Sequence, residues 1–333
     1  MEVTYSEAVW SAIREEMRSD SRVLLLGQDL EYDQIAMFRE FGAERVRNTP
    51  ISEAGFIGAA VGAALTGMKP FVELGCCTFL YSAMDQIVNQ AAKNRYMFGG
   101  QASVPLIVHA PVLYSISAAA HHSDRPWGLF AQAPGLKIIV PCTPYDVKGM
   151  LKSAFRDGNP ILFFEDGTLS SLRGDVPEES YSVPIGVADV KRAGADITIV
   201  ALAAAVHHSL AAAEALKKEG ISAEVVDIRS VVPLDRQTIL QSVMKTGRLI
   251  VADPAPGTCS VASEVAATVV ESAFNYLRGP VIRLTAPDVP VPFSPELERS
   301  MYPSAERIVA AARLLCSDQS TDAKHRRIER ECA

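Results

Sequence analysis

The sequence predicts an α/β protein of two domains, each with a mostly parallel sheet and helices on both faces. Short apolar runs alternate with helix-like segments along most of the 333 residues. A polar stretch broken by Gly and Pro interrupts the alternation over residues 167–190, and the same pattern then starts again. The alternation favours parallel strands joined by helices, and the interruption indicates a linker between two domains.

The first domain, predicted over residues 1–180, begins with a helix. Thr4 and Glu7 are spaced as a capping box at the start of this helix. A later helix has Thr143 as its N-cap and Pro144 at its first helical position. The apolar runs predict strands at 23–26, 71–74, 104–111, 136–141 and 160–165, and the segments between them predict helices at 53–66, 82–96 and 143–156.

The second domain is predicted over residues 191–316 as a smaller unit of the same class. Gly220 and Gly247 are placed to end two of its helices. The strands are predicted at 196–202, 223–228, 249–253 and 281–285, and the helices at 206–219, 234–246, 260–277 and 304–316. The remaining residues, 317–333, form a polar tail that we expect to be frayed or disordered.

Composition and charge exclude several classes of function. A net charge of -7 argues against nucleic acid as the main partner. The start of the chain lacks the basic and apolar regions of a signal peptide. The apolar run at 54–68 is shorter and richer in Gly than a membrane span, which needs about 20 residues. The six cysteines show no metal-like CxxC spacing, so we expect reduced thiols in a cytoplasmic protein.

Residues 48–70 contain a single acidic side chain, Glu53, at the head of a run of small residues. One interpretation is a favourable charge at a helix N-terminus, with Ser52 as the cap. The other is a functional carboxylate at a buried domain or subunit junction. Gly58 and Gly62 lie four positions apart and would let another helix approach closely. The residue pattern alone leaves both interpretations open.

Five other residues can also be interpreted as either structural or functional. Phe79 is either a core side chain or the flat surface of a binding site. His121 and His122 lie in a loop, where a histidine pair is solvated unless it takes part in acid–base chemistry. Cys76 and Cys77 are small fillers beside Phe79, in a place where oxidation would affect a nearby pocket.

Long segments of the sequence resemble successive blocks of one family. They are "NTPISEAGFIGAAVGAALTGMKPFVEL", "FLYSAMDQIVNQAAKNRYMFGGQ", "AAHHSD", "APGLKIIVPCTPYDVKGMLKSAFRDGNPILFFE", "VVPLDRQTILQSVMKTGRLIV" and "GPVIRLTAPDVPVPFSPELE". The family is the beta subunit of the thiamine-diphosphate-dependent, decarboxylating component of 2-oxo-acid dehydrogenase complexes, of the pyruvate, branched-chain and acetoin types. The resemblance covers roughly residues 1–315 and extends more distantly to transketolase. It implies a pyrimidine-binding domain followed by a transketolase C-terminal-like domain.

The resemblance assigns roles to three of the side chains above. It implies that Glu53 contacts the aminopyrimidine ring of thiamine diphosphate and favours the tautomer that activates the cofactor. It implies that Phe79 packs on the same ring. His122 would bind or protonate intermediates formed from a 2-oxo acid, with support from His121. Glu53 and His122 are therefore the expected catalytic residues.

The resemblance also predicts metal ions and a second chain. Some relatives hold a structural potassium ion, mainly through backbone carbonyls, and the matching positions are Leu106, Ala154, Phe155, Asp157 and Asn159. Thiamine enzymes bind magnesium and the diphosphate through a GDG motif followed by an Asn, and this sequence contains no GDG. The magnesium ligands are therefore expected on an alpha subunit that carries the motif, in an α2β2 heterotetramer.

Two departures from the family pattern leave two functions open. Gln28 stands where relatives usually have an acid, and "HAPVLYSISAAA" at 109–120 replaces an Arg-Gly-Pro followed by a glycine-rich stretch. The main hypothesis is decarboxylation of a 2-oxo acid with transfer of the acyl unit to lipoamide on a lipoyl acyltransferase. The alternative is a carboligase that joins the unit to another carbonyl and forms an acyloin. A purely structural partner is a third hypothesis, which the presence of Glu53, Phe79 and His122 disfavours.

Overall fold

The computed structural model describes residues 1–317, and the chain divides after Ile185 into two compact units. Both units have mostly parallel sheets with helices between the strands, which confirms the predicted α/β class. Residues 318–333, most of the predicted polar tail, lie outside the described residues.

Six strands of the first unit form its main sheet, in the order β6-β7-β5-β4-β2-β3, and all five of their pairings are parallel. A separate antiparallel pair joins β1 to β8. The strands are β1 (Glu2–Thr4), β2 (Val23–Gly27), β3 (Val46–Asn48), β4 (Lys69–Glu73), β5 (Ile107–Val112), β6 (Lys137–Ile139), β7 (Ile161–Asp166) and β8 (Arg173–Asp175). The helices are α1 (Tyr5–Ser19), α2 (Leu30–Asp33), α3 (Ile35–Phe41), α4 (Glu53–Leu65), α5 (Ala92–Met97), α6 (Trp127–Ala131) and α7 (Pro144–Asp157).

The second unit has a sheet in the order β14-β13-β10-β11-β9, in which β9 is an antiparallel edge strand. Its strands are β9 (Asp189–Arg192), β10 (Ile197–Ala201), β11 (Ala223–Asp227), β12 (Ser230–Val232), β13 (Leu249–Pro256) and β14 (Ile282–Ala286). Its helices are α8 (Ala205–Lys217), α9 (Arg236–Thr246), α10 (Val261–Ala273), α11 (Pro295–Arg299) and α12 (Ala305–Cys316). The predicted strands and helices of this unit are confirmed.

Two of the helix caps predicted for the first unit, at α1 and α7, are confirmed. The Thr4 hydroxyl accepts from the Glu7 N–H at 3.1 Å, and the Glu7 carboxylate accepts from the Thr4 N–H at 2.7 Å. At α7, the Thr143 hydroxyl accepts from the Asp146 N–H at 3.0 Å, and Pro144 is the first helical residue. Both caps satisfy N–H groups that a helix start leaves without an intrahelical partner.

The structure departs from prediction between residues 77 and 97. The single helix predicted at 82–96 is a 3₁₀ segment (Cys77–Ala83), a π-helical segment (Asp85–Ala91) and then α5. π-Helical turns are frequent at functional sites. Apolar periodicity does not distinguish these tighter and wider turns from an α-helix, so they could not be predicted from the residue pattern.

The predicted linker contains regular structure. Strand β8 lies inside it and pairs with β1, with Val3 opposite Gly174. Further along the chain, Val183 packs against Gly149. A Cβ atom built on Gly149 would lie 2.5 Å from the Cγ2 atom of Val183. A three-residue edge pair has too few positions to show an alternating pattern, which is why this strand was missed.

The carboxyl ends of β2, β4, β5 and β7 meet at one edge of the first sheet. At that edge Gly27 is required, because a Cβ atom there would lie 2.7 Å from the Glu73 carbonyl oxygen. Ligands of open α/β sheets bind outside the carboxyl ends of the strands. The candidate site lies in the segments that follow β2, β3, β4 and β5.

Candidate active site

Glu53 is the first residue of α4, and its carboxylate is held from two sides. Its Oε1 atom accepts a long hydrogen bond of 3.4 Å from Gln28 Nε2, and its Oε2 atom accepts one of 3.1 Å from Ser82 Oγ. The Glu53 side chain is half-buried. Ser52 occupies the predicted N-cap position of α4, but its side chain makes no capping hydrogen bond within the described residues.

Phe79 lies in the 3₁₀ segment after β4, and His122 lies in the loop after β5. Their rings meet edge to face, with centroids 5.9 Å apart and an interplanar angle of 79°. Ser82 Oγ also donates to the Phe79 carbonyl at 2.9 Å. Ser82 therefore joins the segment of Phe79 to Glu53, and the structure brings the three predicted residues Glu53, Phe79 and His122 into one site.

Two adjacent thiols tie the Phe79 segment to the histidine loop. Cys76 Sγ donates to the His122 carbonyl at 3.5 Å, and Cys77 Sγ donates to the Asp124 carbonyl at 3.1 Å. Tyr81 adds a third tie, because its hydroxyl donates to the Asp124 carboxylate at 2.8 Å. The two segments that present Phe79 and His122 are thus fixed to each other by three contacts.

The thiols are electrostatically distinct. A hydrogen bond from Cys77, opposed by burial and supported by Thr78 and His122, lowers the pKa of Cys76 to about 6. The same hydrogen bond and burial raise the pKa of Cys77 well above its usual range. The pKa of Cys76 is thus held below that of a free thiol, and the pKa of Cys77 is held above it.

Sequence reasoning missed Ser82, Tyr81 and Asp124. Ser82 follows Phe79 by one 3₁₀ turn, which places its hydroxyl over the Phe79 carbonyl. Asp124 follows His122 by two positions, so a search for polar residues beside the histidine pair could have found it. Gln28 was noted only as a departure from the family, and the structure shows that it contacts Glu53.

The loop before the histidines is strained. Ser115, Ser117 and Ala119 have φ of 61°, 60° and 60°, in the left-handed region that favours Gly. The preceding Tyr114 is buried, and its hydroxyl donates to Asp166 at 2.6 Å. The loop thus keeps left-handed turns without glycine, while Tyr114 fixes its first end. Ile116, in contrast, is 57% exposed.

The positions predicted for potassium cluster around the end of α7, apart from the contacts of Glu53. Lys137 pairs with the Asp157 carboxylate, and Arg95 Nη1 donates to Asn159 Oδ1 at 2.7 Å. The Leu106 carbonyl accepts from the Ile161 N–H at 2.8 Å. The side chains of Asp157 and Asn159 are therefore already bound to Lys137 and Arg95. A potassium ion at this place would depend on main-chain carbonyls such as those of residues 154 and 155.

Two features are absent from residues 1–317. That part of the chain holds no group of three or more His, Cys, Asp or Glu side chains arranged for a metal ion. It also has no helix that combines the length and the apolar character needed to cross a membrane.

Comparisons with known proteins cover both units. A family model described as the transketolase pyrimidine binding domain matches residues 1–170, and one described as the transketolase C-terminal domain matches residues 186–308. The solved structure "Split gene transketolase, inactive beta4 tetramer" has a TM-score of 0.79 and 24% identity, over 94% of this chain and 98% of that one. This likeness supports the fold.

Three curated relatives are similar over nearly the whole chain. The acetoin:2,6-dichlorophenolindophenol oxidoreductase subunit beta of Bacillus subtilis (strain 168) is 44% identical over 92% of this chain and 95% of that protein. The 2-oxoisovalerate dehydrogenase subunit beta of the same strain is 41% identical, with 94% and 98% covered. The pyruvate dehydrogenase E1 component subunit beta-2, mitochondrial, of Oryza sativa subsp. japonica is 42% identical, with 95% and 86% covered.

Proposed function

Because this chain belongs to the family of beta subunits of the thiamine-diphosphate-dependent, decarboxylating component of 2-oxo-acid dehydrogenases, we propose that it supplies the pyrimidine-binding half of an active site that decarboxylates a 2-oxo acid. The acyl unit is then passed to lipoamide on a lipoyl acyltransferase. The observation that carries the proposal is the convergence of Glu53, Phe79 and His122, joined by Ser82.

The residues present suit the aminopyrimidine end of thiamine diphosphate. Glu53 offers a half-buried carboxylate as a hydrogen-bond partner for a ring nitrogen, and Phe79 offers a half-buried ring for packing. These two residues would hold that end of the cofactor. When bound, thiamine diphosphate supplies the electron sink that decarboxylation of a 2-oxo acid requires.

The role of Glu53 is to hold and exchange a proton at its carboxylate oxygens. Gln28 and Ser82 are neutral donors, so they orient the carboxylate without neutralising its charge. A second acid in the place of Gln28 would instead compete for the same proton. Orientation by neutral groups leaves the proton of Glu53 free to move to a bound ring nitrogen.

His122 is the acid–base group on the substrate side. Its side chain is exposed, while its main chain is fixed by Cys76. An imidazole can donate or accept a proton near neutral pH, which suits protonation of groups derived from a 2-oxo acid. His121, also exposed, lies next to it and supports the same loop.

The other half of the site requires an alpha subunit. The sequence contains no GDG motif, so the diphosphate and its magnesium ion would be held by a partner that carries GDG followed by Asn. Ile51, two positions before Glu53, is 83% exposed, and the outward face of α4 consists of Gly55, Ala59 and Gly62. An apolar side chain and a smooth helix face next to Glu53 support close packing of another chain in an α2β2 heterotetramer. The proposal also includes a cytoplasmic location and a potassium ion at the end of α7.

A carboligase is the second candidate, and the loop at 113–121 favours it. In place of flexible glycines the loop has Leu113, buried Tyr114 and strained residues at 115, 117 and 119. Such a loop would shape the substrate entrance differently from a glycine-rich one. The acceptor of the acyl unit would then be a second carbonyl compound, and the product an acyloin.

The test is reconstitution with an alpha chain that carries the GDG motif. The complex should decarboxylate pyruvate or a branched 2-oxo acid only when thiamine diphosphate and magnesium are both present. Reduction of added lipoyl domain supports the dehydrogenase function, and acyloin formation from an added aldehyde supports the carboligase. A folded complex that turns over neither reaction with any 2-oxo acid would overturn both.

A further inference from the structure

His109 lies between two carboxylates on the central strands of the first sheet. Its Nδ1 atom contacts the Glu73 carboxylate on β4, and its Nε2 atom lies 2.6 Å from Glu165 Oε2 on β7. Strand β5, which carries His109, is the neighbour of both strands. One imidazole therefore links three adjacent strands through their side chains.

Apart from these two carboxylates, the surroundings of His109 are apolar and closed to water. The residue is 2% exposed, and its ring stacks on Phe163 with centroids 4.7 Å apart and an interplanar angle of 11°. Phe71 covers another side, with its centroid 5.5 Å away. Although burial opposes a charge on the ring, the negative charge of Glu73 and hydrogen bonds to both carboxylates raise the pKa of His109. Glu165 is buried and Glu73 is partly buried, and a protonated His109 balances their negative charge.

This cluster is connected to the turn that leads to Phe79. The other oxygen of Glu73, Oε1, accepts a hydrogen bond of 3.0 Å from the Gly75 N–H. Leu74, between them, donates its N–H to the His109 carbonyl at 3.1 Å. Gly75 has φ of 74° and opens the turn that continues into the 3₁₀ segment. The orientation of the Glu73 carboxylate thus determines how this turn begins.

We propose that His109 is a positioning residue for the reaction. Its imidazolium holds the Glu73 carboxylate against the Gly75 N–H and so fixes the turn that presents Phe79 and Ser82 to Glu53. The inference rests on the proposed function, since the turn matters for catalysis only if Phe79 and Glu53 bind the cofactor. Without the cation, the Glu73 carboxylate would turn toward water or take up a proton, and the Gly75 N–H would lose its charged acceptor.

The first experiment measures hydrogen exchange in the full chain, without partner or cofactor. We expect His109→Gln to increase the rate of backbone amide hydrogen exchange at least tenfold in peptides that cover residues 74–82. His109→Arg, which keeps a cation between the two carboxylates, should restore slow exchange. Glu15→Gln is the matched control, because Glu15 on α1 forms ion pairs with the buried Lys148 and Lys152 on α7. It should lower stability without changing exchange at 74–82.

The second experiment measures the same variants in the reconstituted alpha–beta complex. His109→Gln should lower kcat and weaken thiamine diphosphate binding, each about tenfold, and His109→Arg should recover both. Exchange at 74–82 that is unchanged in folded His109→Gln, or equally fast in Glu15→Gln, would overturn the inference. If the exchange results hold but the wild-type complex is inactive with every 2-oxo acid, the proposed function fails and the structural link remains.

Discussion

Glu53 and Glu73 are carboxylates at the same edge of one sheet, and they are held in opposite ways. Glu53 is half-buried and accepts two hydrogen bonds from neutral donors, Gln28 and Ser82. Glu73 is paired with the buried cation of His109 and accepts from a main-chain N–H. The first carboxylate is thus held only by neutral groups, whereas the second faces a positive charge. The comparison teaches that one carboxylate suits chemistry and the other suits positioning.

The largest expected effect comes from removing the charge of Glu53. In the alpha–beta complex, Glu53→Gln should lower kcat by about 10²–10⁴-fold, the usual contribution of a positioned acid–base group. Its unfolding midpoint should change little, because the amide can keep both neutral contacts. Steady-state rates and thermal unfolding of the same preparation check this. Activity within a factor of three of wild type would show that Glu53 does not exchange a proton in the reaction.

The buried cluster should respond to pH in a direction that the pKa of His109 fixes. This pKa is about 10 in the folded chain, against about 6.5 for an unperturbed histidine. Because it is raised by folding, the stabilisation is complete below pH 6.5 and is lost as pH rises toward 10.

His109→Arg isolates this effect, since its cation does not titrate in that window. Wild type should lose unfolding free energy relative to this variant between pH 7 and 10, by at most about 1.4 kcal/mol per unit of pKa shift. Denaturant titrations at several pH values measure the difference. Parallel pH profiles for the two proteins would mean that His109 is not the titrating group.

Ser82 should have an intermediate effect, on activity more than on stability. Ser82→Ala removes the hydrogen bonds to Glu53 and to the Phe79 carbonyl, each worth about 0.5–1.5 kcal/mol. We expect roughly a tenfold lower kcat and about 1 kcal/mol less stability. Ser82→Thr, which keeps a hydroxyl, serves as the control and should lose less. Equal losses in both variants would argue that packing rather than the hydroxyl matters.

The smallest expected effect concerns the strained loop. Ala119 has φ of 60°, so Ala119→Gly should stabilise the chain by about 0.5–1 kcal/mol, the left-handed strain minus the entropy cost of Gly. Ala118→Gly is the matched control and should destabilise by a similar amount. Denaturant midpoints of the two variants should therefore move in opposite directions. Movement in the same direction would show that loop strain is not stored at Ala119.

Most of the fold follows from local patterns in the sequence, whereas the site residues Glu53, Phe79 and His122 were predicted from the family resemblance. Caps such as Thr143 with Pro144, and apolar strands such as the one predicted at 160–165 and found at Ile161–Asp166, involve neighbours in sequence, and these predictions are confirmed. The His109 cluster could not be predicted in this way, because its partners lie 36 and 56 positions away and meet only in the sheet. Ser82 was missed for another reason, since a serine in a helix-like segment looks ordinary until its turn is known to be 3₁₀.

The thiol pair gives the site a chemical reporter. The pKa of Cys76 is lowered to about 6, yet only 2% of the residue is exposed. A small alkylating reagent can reach it only when the Phe79 segment and the histidine loop separate. The alkylation rate of Cys76, compared with that of the exposed Cys259, therefore counts how often the site opens. The alkylation rate of Cys76 would thus measure how often the Phe79 segment separates from the histidine loop.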